Sequence, residues 1–269
     1  MAARNETLPH QLMRMVGTPD APQVVDIRID RDFAEDPSLM PGSFRHLHTG
    51  IPGLLDRLAS RAGVVVCQRG LKLSQGLAAW LSGARIGAQN LCGGMFVWRD
   101  QPPAPRMSAS KIPDPKMGST QLVTDDTPAV DRMACVWLIR HFIDHNARFL
   151  FVSISGVRGV AGRFGGTSFD LDGTFWSRRG PLCTFDTMLD EFAPRTDALD
   201  RMAGVIRASK TRDLVPKAAG LLAMSVGLCR QYADNVDRLE AGMGLYDALY
   251  RCARGGHQED QDCLTGCTA

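Results

Sequence analysis

Apolar positions along the chain fall into two regimes, short β-branched runs and longer stretches spaced by three and four. Val24-Val25-Asp26-Ile27-Arg28 and Val64-Val65-Val66 read as buried strands. After the second, Leu73, Leu77, Trp80 and Leu81 share a helical face that stops at Gly83. Pro52 opens a short helix carrying Leu54, Leu55 and Leu58, and 86–91 is a weaker strand ended by Gly93-Gly94. Segment 30–43, rich in acid and proline, reads as loop. Strands alternating with helices predict a parallel α/β sheet with helices on both faces. In such sheets chemistry gathers at the carboxyl ends of the strands, where Asp26, Arg28 and Cys67 fall.

The second half is mostly helical in pattern. Segment 101–115 holds five prolines and reads as a linker. Thr127 and Pro128 then start an amphipathic helix through Val130, Met133, Ala134, Trp137, Leu138, His141 and Phe142. Asp131 and Arg140 flank this stripe, and Arg132 lies on the far face. Segment 148–153 alternates as a strand. The glycine-rich 156–166, with Arg158 and Arg163, matches neither a Walker loop nor a dinucleotide fingerprint and reads as a mobile loop. Thr184 can cap a helix bearing Phe185, Met188, Leu189 and Phe192, with Asp186 in its first turn. Leu199, Met202, Ala203 and Ile206 mark another helix, 216–230 is apolar around most of its axis and reads as buried, and Asp234 caps the last helix.

A chain of 269 residues has room for two domains, and 44% apolar with 22% charged residues is ordinary for a soluble protein. Net charge +2 and the lack of an Arg- and Lys-rich recognition helix argue against nucleic acid as a partner. No apolar run reaches the ~18 residues that a membrane span needs, and the N-terminus lacks the apolar core of a secretion signal. Eight cysteines without export suggest reduced thiols, hence a cytoplasmic protein. The six histidines are scattered. His46 and His48 have no evident third ligand, and the tail around Cys252, His257, Cys263 and Cys267 fits no zinc spacing, so no metal is expected.

Cys67 carries the chemistry. It ends a strand, with Gly70 three residues on and Lys72 two after that, at the start of a helix. Loop amides and the helix N-terminus would point at the sulfur and favour a thiolate, the nucleophilic form.

These residues resemble a rhodanese (sulfurtransferase) domain. The resemblance rests on Asp26-x-Arg28, Pro41-Gly42-Ser43, Cys67-x-x-Gly70-x-Lys72 and Leu91-x-Gly93-Gly94-x-x-x-Trp98, in order. It implies an anion-binding loop of Gln68, Arg69, Gly70, Leu71, Lys72 and Leu73 around a catalytic Cys67. The short register to Lys72 resembles sulfurtransferases rather than the phosphatases of this fold, whose loop is one residue longer. Leu73 stands where the family often has Ser or Ala, with Ser74 one place later. Asp26 and Arg28 would shape the site as an ion pair or touch substrate directly. The resemblance implies no cofactor beyond a transient cysteine persulfide, a sulfur donor such as thiosulfate, and a thiol acceptor.

Segments Val130-Asp131-Arg132-Met133-Ala134-x-x-Trp137-Leu138-Ile139-Arg140, Cys183-Thr184-Phe185-Asp186, Gly220-Leu221-Leu222-Ala223 and Leu245-Tyr246-Asp247-Ala248-Leu249-Tyr250 resemble the C-terminal domain of ChrB-type chromate-resistance proteins. Asp131, Arg132, Arg140, Cys183 and Asp186 are candidates for a site there, although charges bordering an apolar stripe and a packed Cys serve structure equally well. The stretch around Ser209-Lys210-Thr211 is less acidic than that family leads one to expect. The implied organisation is a rhodanese-like domain over 8–104, a Pro-rich linker over 105–122, a ChrB-type α+β domain over 123–254 and a tail over 255–269. Two functions follow as expectations. One is a sulfurtransferase linked to chromate resistance. The other is a chromate-responsive sensor or transcriptional regulator whose first domain binds an oxyanion without turnover.

Overall fold

The computed structural model describes residues 5–58, 61–102, 104–113, 119–127, 129–211 and 215–255. In chain order the first part comprises β1 (Glu6–Thr7), α1 (Pro9–Met15), β2 (Gln23–Asp26), α2 (Asp30–Glu35), β3 (Ser38–Leu39), β4 (Ser43–Arg45), α3 (Ile51–Leu58), β5 (Gly63–Val66), α4 (Lys72–Gly83), β6 (Ala88–Leu91), α5 (Gly94–Arg99) and β7 (Met107–Ser108). Five strands form one parallel sheet in the order β1-β6-β5-β2-β4. The sheet therefore begins at Glu6, ahead of the first strand the pattern predicts. The predicted loop after β2 contains α2, whose Asp30 and Asp32 complement the helix dipole in its first turn.

Period-two alternation divides the sheet's side chains between two cores. Val25, Ile27, Val65 and Cys67 pack with Leu54 and Leu58 of α3 and Leu77 and Leu81 of α4. Val24, Val64 and Val66 face the other way, into a cluster with Leu12 of α1, Met95 and Trp98 of α5 and, beyond them, Trp137, Phe142 and Tyr250. Helices thus cover both faces, as predicted, and one face is shared with the second half of the chain. Within the Pro-rich stretch, β7 pairs antiparallel with β3, and Met107 is 1% exposed. Positions 114–118 of that stretch lie outside the described residues.

The second part comprises β8 (Gln121–Asp125), α6 (Val130–Leu138), a π-helical turn (Ile139–Ile143), β9 (Arg148–Val152), α7 (Val157–Phe164), β10 (Thr167–Ser168), α8 (Thr184–Phe192), α9 (Asp197–Ala208), α10 (Pro216–Gln231) and α11 (Asn235–Gly255). It is mostly helical around a parallel sheet in the order β10-β8-β9. The predicted helix through Phe142 changes winding at Ile139, whose carbonyl accepts the Asp144 amide at 2.8 Å. This wider turn buries Ile139, Phe142 and Ile143 together and sends Arg140 outward to Glu240 at 2.7 Å.

Three further predictions are corrected. The glycine-rich 156–166 is the helix α7, because Val157 and Ala161 meet Val123 of β8 and left-handed Gly165 ends it. Arg132 is buried, because the segment carrying Asp170 closes over that face of α6. Of α10 only Ala218 and Leu221 are buried, and Met224 is 59% exposed, since its described neighbours cover one side only. The caps move by one or two residues: Ala129 caps α6, and Cys183, not Thr184, caps α8. Pro128 lies outside the described residues. Asp234 caps α11 as predicted, accepting the Val236 and Asp237 amides at 2.7 and 3.1 Å.

Candidate functional site

Cys67 sits at the carboxyl end of β5, one residue past Val66, and the loop 67–72 leads into α4. A wall formed by the turn into α5 holds this loop. The Cys67 and Gln68 carbonyls accept the Met95 and Phe96 amides at 3.0 and 3.1 Å, and the Gly70 carbonyl accepts Asn90 Nδ2 at 3.5 Å. In a trans peptide the N–H points opposite to the carbonyl of the same unit. The amides of Gln68, Arg69 and Leu71 are therefore turned away from that wall, in the sense an anion cradle requires. Gly70 and Gly94 make the close approach possible. Both have positive φ, and a Cβ on Gly94 would fall 2.2 Å from the Cys67 carbonyl oxygen.

Cys67 is buried, with its Sγ 3.2 Å from the Ser74 hydroxyl. Ser74 is buried on α4, and its one hydroxyl proton has two acceptors in reach, Sγ and the Leu71 carbonyl at 3.1 Å, so a hydroxyl meets the sulfur one helical position after Leu73. Gln68 is buried, whereas Arg69, Leu71 and Lys72 are exposed at the loop mouth and Leu73 is intermediate. Arg69 leans on the Phe96 ring. Asp26 and Arg28 form a buried ion pair. Arg28 also donates to the carbonyls of Asp36 and Ser38 at 2.8 and 2.6 Å, which fixes the chain entering β3. All the donors recorded for Arg28 are spent on these structural partners.

In the second part, Asp131, Cys183 and Asp186 converge, together with Lys210, Arg207 and Cys135, which sequence reasoning did not select. Asp131 is 0% exposed. Its carboxylate accepts the Thr184 and Phe185 amides at 2.9 and 3.0 Å, the first two of α8, and Lys210 Nζ at 2.6 Å. Asp186 accepts the Cys183 amide at 3.0 Å and its thiol at 3.1 Å, and pairs with Arg207. Arg132 belongs to an adjoining set, reaching Asp170 at 2.9 Å and Asp125 at 3.4 Å. Arg140 stands apart with Glu240.

Electrostatics make this cluster a poor source of nucleophile. Burial first, then the Asp131 charge, raises the pKa of both the Cys183 and Cys135 thiols. Burial likewise pushes the Asp170 carboxyl up. At Lys210 burial opposes the charge, but Asp131 and its neighbours outweigh it and hold the ammonium above its ordinary value. Among the described residues no group of three His, Cys, Asp or Glu side chains is placed to hold a metal ion, and His46 Nε2 lies 2.6 Å from the Gly50 carbonyl. The cysteines and His257 beyond position 255 lie outside the described residues. No described helix is long and apolar enough to cross a membrane.

Residues 122–253 match the family described as "ChrB, C-terminal domain". Protein ChrB of Cupriavidus metallidurans is 33% identical over 170 residues, covering 57% of this chain and 50% of that protein, so the match spans about half the relative's length. Among solved structures, a rhodanese-like domain protein of Staphylococcus aureus is similar at 24% identity over 35% of this chain and 90% of its own, with a TM-score of 0.32. A protein of Rhodopseudomonas palustris described as a possible tyrosine phosphatase is similar at 23% identity over 35% and 77%, with a TM-score of 0.29. Residues 122–253 thus belong to the ChrB C-terminal domain family, and across more than half its length the chain is a homologue of ChrB.

Proposed function

We propose that the protein is a rhodanese-type sulfurtransferase serving chromate resistance, with Cys67 as its nucleophile. The observation that carries this reading is the strapping of loop 67–72. Three of its carbonyls are spent on the α5 turn and Asn90, so its amides are free to face an anion bound at the sulfur. The Cys67 thiolate attacks the outer sulfur of thiosulfate, and a new S–S bond forms as the old one breaks. Sulfite leaves with the bonding pair, and the enzyme holds a persulfide. An acceptor thiolate or cyanide then takes the outer sulfur and returns Cys67 to the thiolate. Loop amides stabilise the charge on the transferring sulfur, and exposed Arg69 and Lys72 attract the anionic donor.

The purified protein should release thiocyanate from thiosulfate and cyanide, and Cys67→Ser should abolish that release. Equal activity in the variant removes Cys67 from the reaction. The second reading is the chromate-responsive regulator that the resemblance to ChrB-type proteins implies. It requires a saturable shift of operator DNA by the protein at low salt. Chromate shares the tetrahedral shape and double charge of sulfate, so an oxyanion ligand is common to both readings. Reduction of chromate by Cys183 is disfavoured by the burial that keeps its thiol protonated.

A further inference from the structure

β4 is an edge strand of the parallel sheet, and Phe44 at its centre turns toward α3, so Ser43 and Arg45 turn the opposite way. Arg57 of α3 reaches the same edge with its guanidinium 3.7 Å above the Phe44 ring. Thr120, Ile143 and Asp144 of the second part close the other side, leaving a cavity of about 360 Å³ at the seam.

Three buried polar groups on its wall have no hydrogen-bond partner among the described residues: Ser43 Oγ, Arg45 Nε and Arg57 Nε. Ser43 as a whole is 4% exposed. Arg45 spends its Nη2 on the Arg28 carbonyl at 3.0 Å and on Asp30 at 2.8 Å, which leaves Nε over. Among the described residues the one carboxylate on the wall, Asp144, is committed to two amides, those of Asn146 at 3.0 Å and Thr120 at 2.7 Å. Burial lowers the Arg57 pKa, and the nearby Asp144 charge restores only part of that. Buried donors without acceptors are costly, and a ligand rich in acceptors relieves them. Two guanidinium groups and a hydroxyl around a small cavity suit a compact anion with several oxygens.

We infer that this seam cavity binds a small tetrahedral oxyanion, with Ser43 and the Nε–H groups of Arg45 and Arg57 donating to its oxygens. The site is separate from the Cys67 loop and goes beyond sulfur transfer. Because both parts of the chain supply its walls, occupancy also holds them together.

The test is calorimetric titration of the full chain with sodium sulfate, in chloride buffer of matched ionic strength. The wild type should bind sulfate at the seam in addition to any sulfate held by the Cys67 loop, and Cys67→Ser should keep the seam site. Arg57→Gln should weaken binding by about tenfold or more. Ser43→Ala should weaken it by roughly two- to fivefold, and it carries the test if Arg57→Gln does not fold. Absence of saturable binding in the wild type overturns the inference. So does wild-type affinity in both seam variants, or loss of binding on Cys67→Ser alone.

Discussion

Replacing Asp131 by alanine probes the most heavily committed side chain of the second part. Its carboxylate satisfies the first two amides of α8 at 2.9 and 3.0 Å and pairs with Lys210 at 2.6 Å. In Asp131→Ala both amides stay buried without an acceptor, at about 1–3 kcal/mol each. Lys210 is 45% exposed and can turn to water, so losing its partner adds no more than about 1 kcal/mol. The expected loss is therefore on the order of 4 kcal/mol, a large share of the 5–15 kcal/mol typical of a native protein. For a chain of this size that corresponds to a fall in Tm of roughly 10 °C. Asp131→Asn keeps one acceptor oxygen and should cost about half as much. Urea unfolding followed by circular dichroism measures both. An Asp131→Ala variant within about 1 kcal/mol of wild type would refute the placement of this carboxylate at the start of α8.

Burial first, then nearby Arg61 and His141, lowers the His145 pKa from 6.5 to about 4. The folded state favours the neutral ring, so its contribution is complete above pH 6.5 and is lost as pH falls toward 4. Between pH 7 and 4.5 the wild type should lose about 2 kcal/mol that His145→Gln keeps, read by urea unfolding at both pH values. Gly94→Ala would drive a Cβ into the Cys67 carbonyl at a φ of +59°, and thiocyanate release should fall at least about a hundredfold while far-UV circular dichroism is largely kept. Ser74→Ala removes the hydroxyl 3.2 Å from Sγ and should slow persulfide formation by about tenfold in a single-turnover assay.

What was legible in the sequence was what is local. The run Val64-Val65-Val66, the loop from Cys67 to Lys72 and Gly93-Gly94 lie within a few turns of chain, and the strand–loop–helix follows from them directly. The second cluster is different. Asp131 meets residues 53 and 79 positions away, and nothing near it in the chain foretells that the first turn of α8 or Lys210 would arrive there. An acidic residue beside an apolar stripe reads as a surface charge until a second helix covers it. The same reasoning explains α10: its residues are apolar around most of the axis, but burial depends on how many neighbours tertiary packing supplies. At 156–166 five glycines outweighed Val157, Val160 and Ala161, whose spacing by three and four was the helical signal.

Mass spectrometry of the intact protein after incubation with thiosulfate tests the nucleophile directly. A gain of about 32 Da, one sulfur, should appear on Cys67, disappear on adding cyanide, and be absent from Cys67→Ser. An unmodified Cys67, or the same adduct in Cys67→Ser, would contradict the assignment.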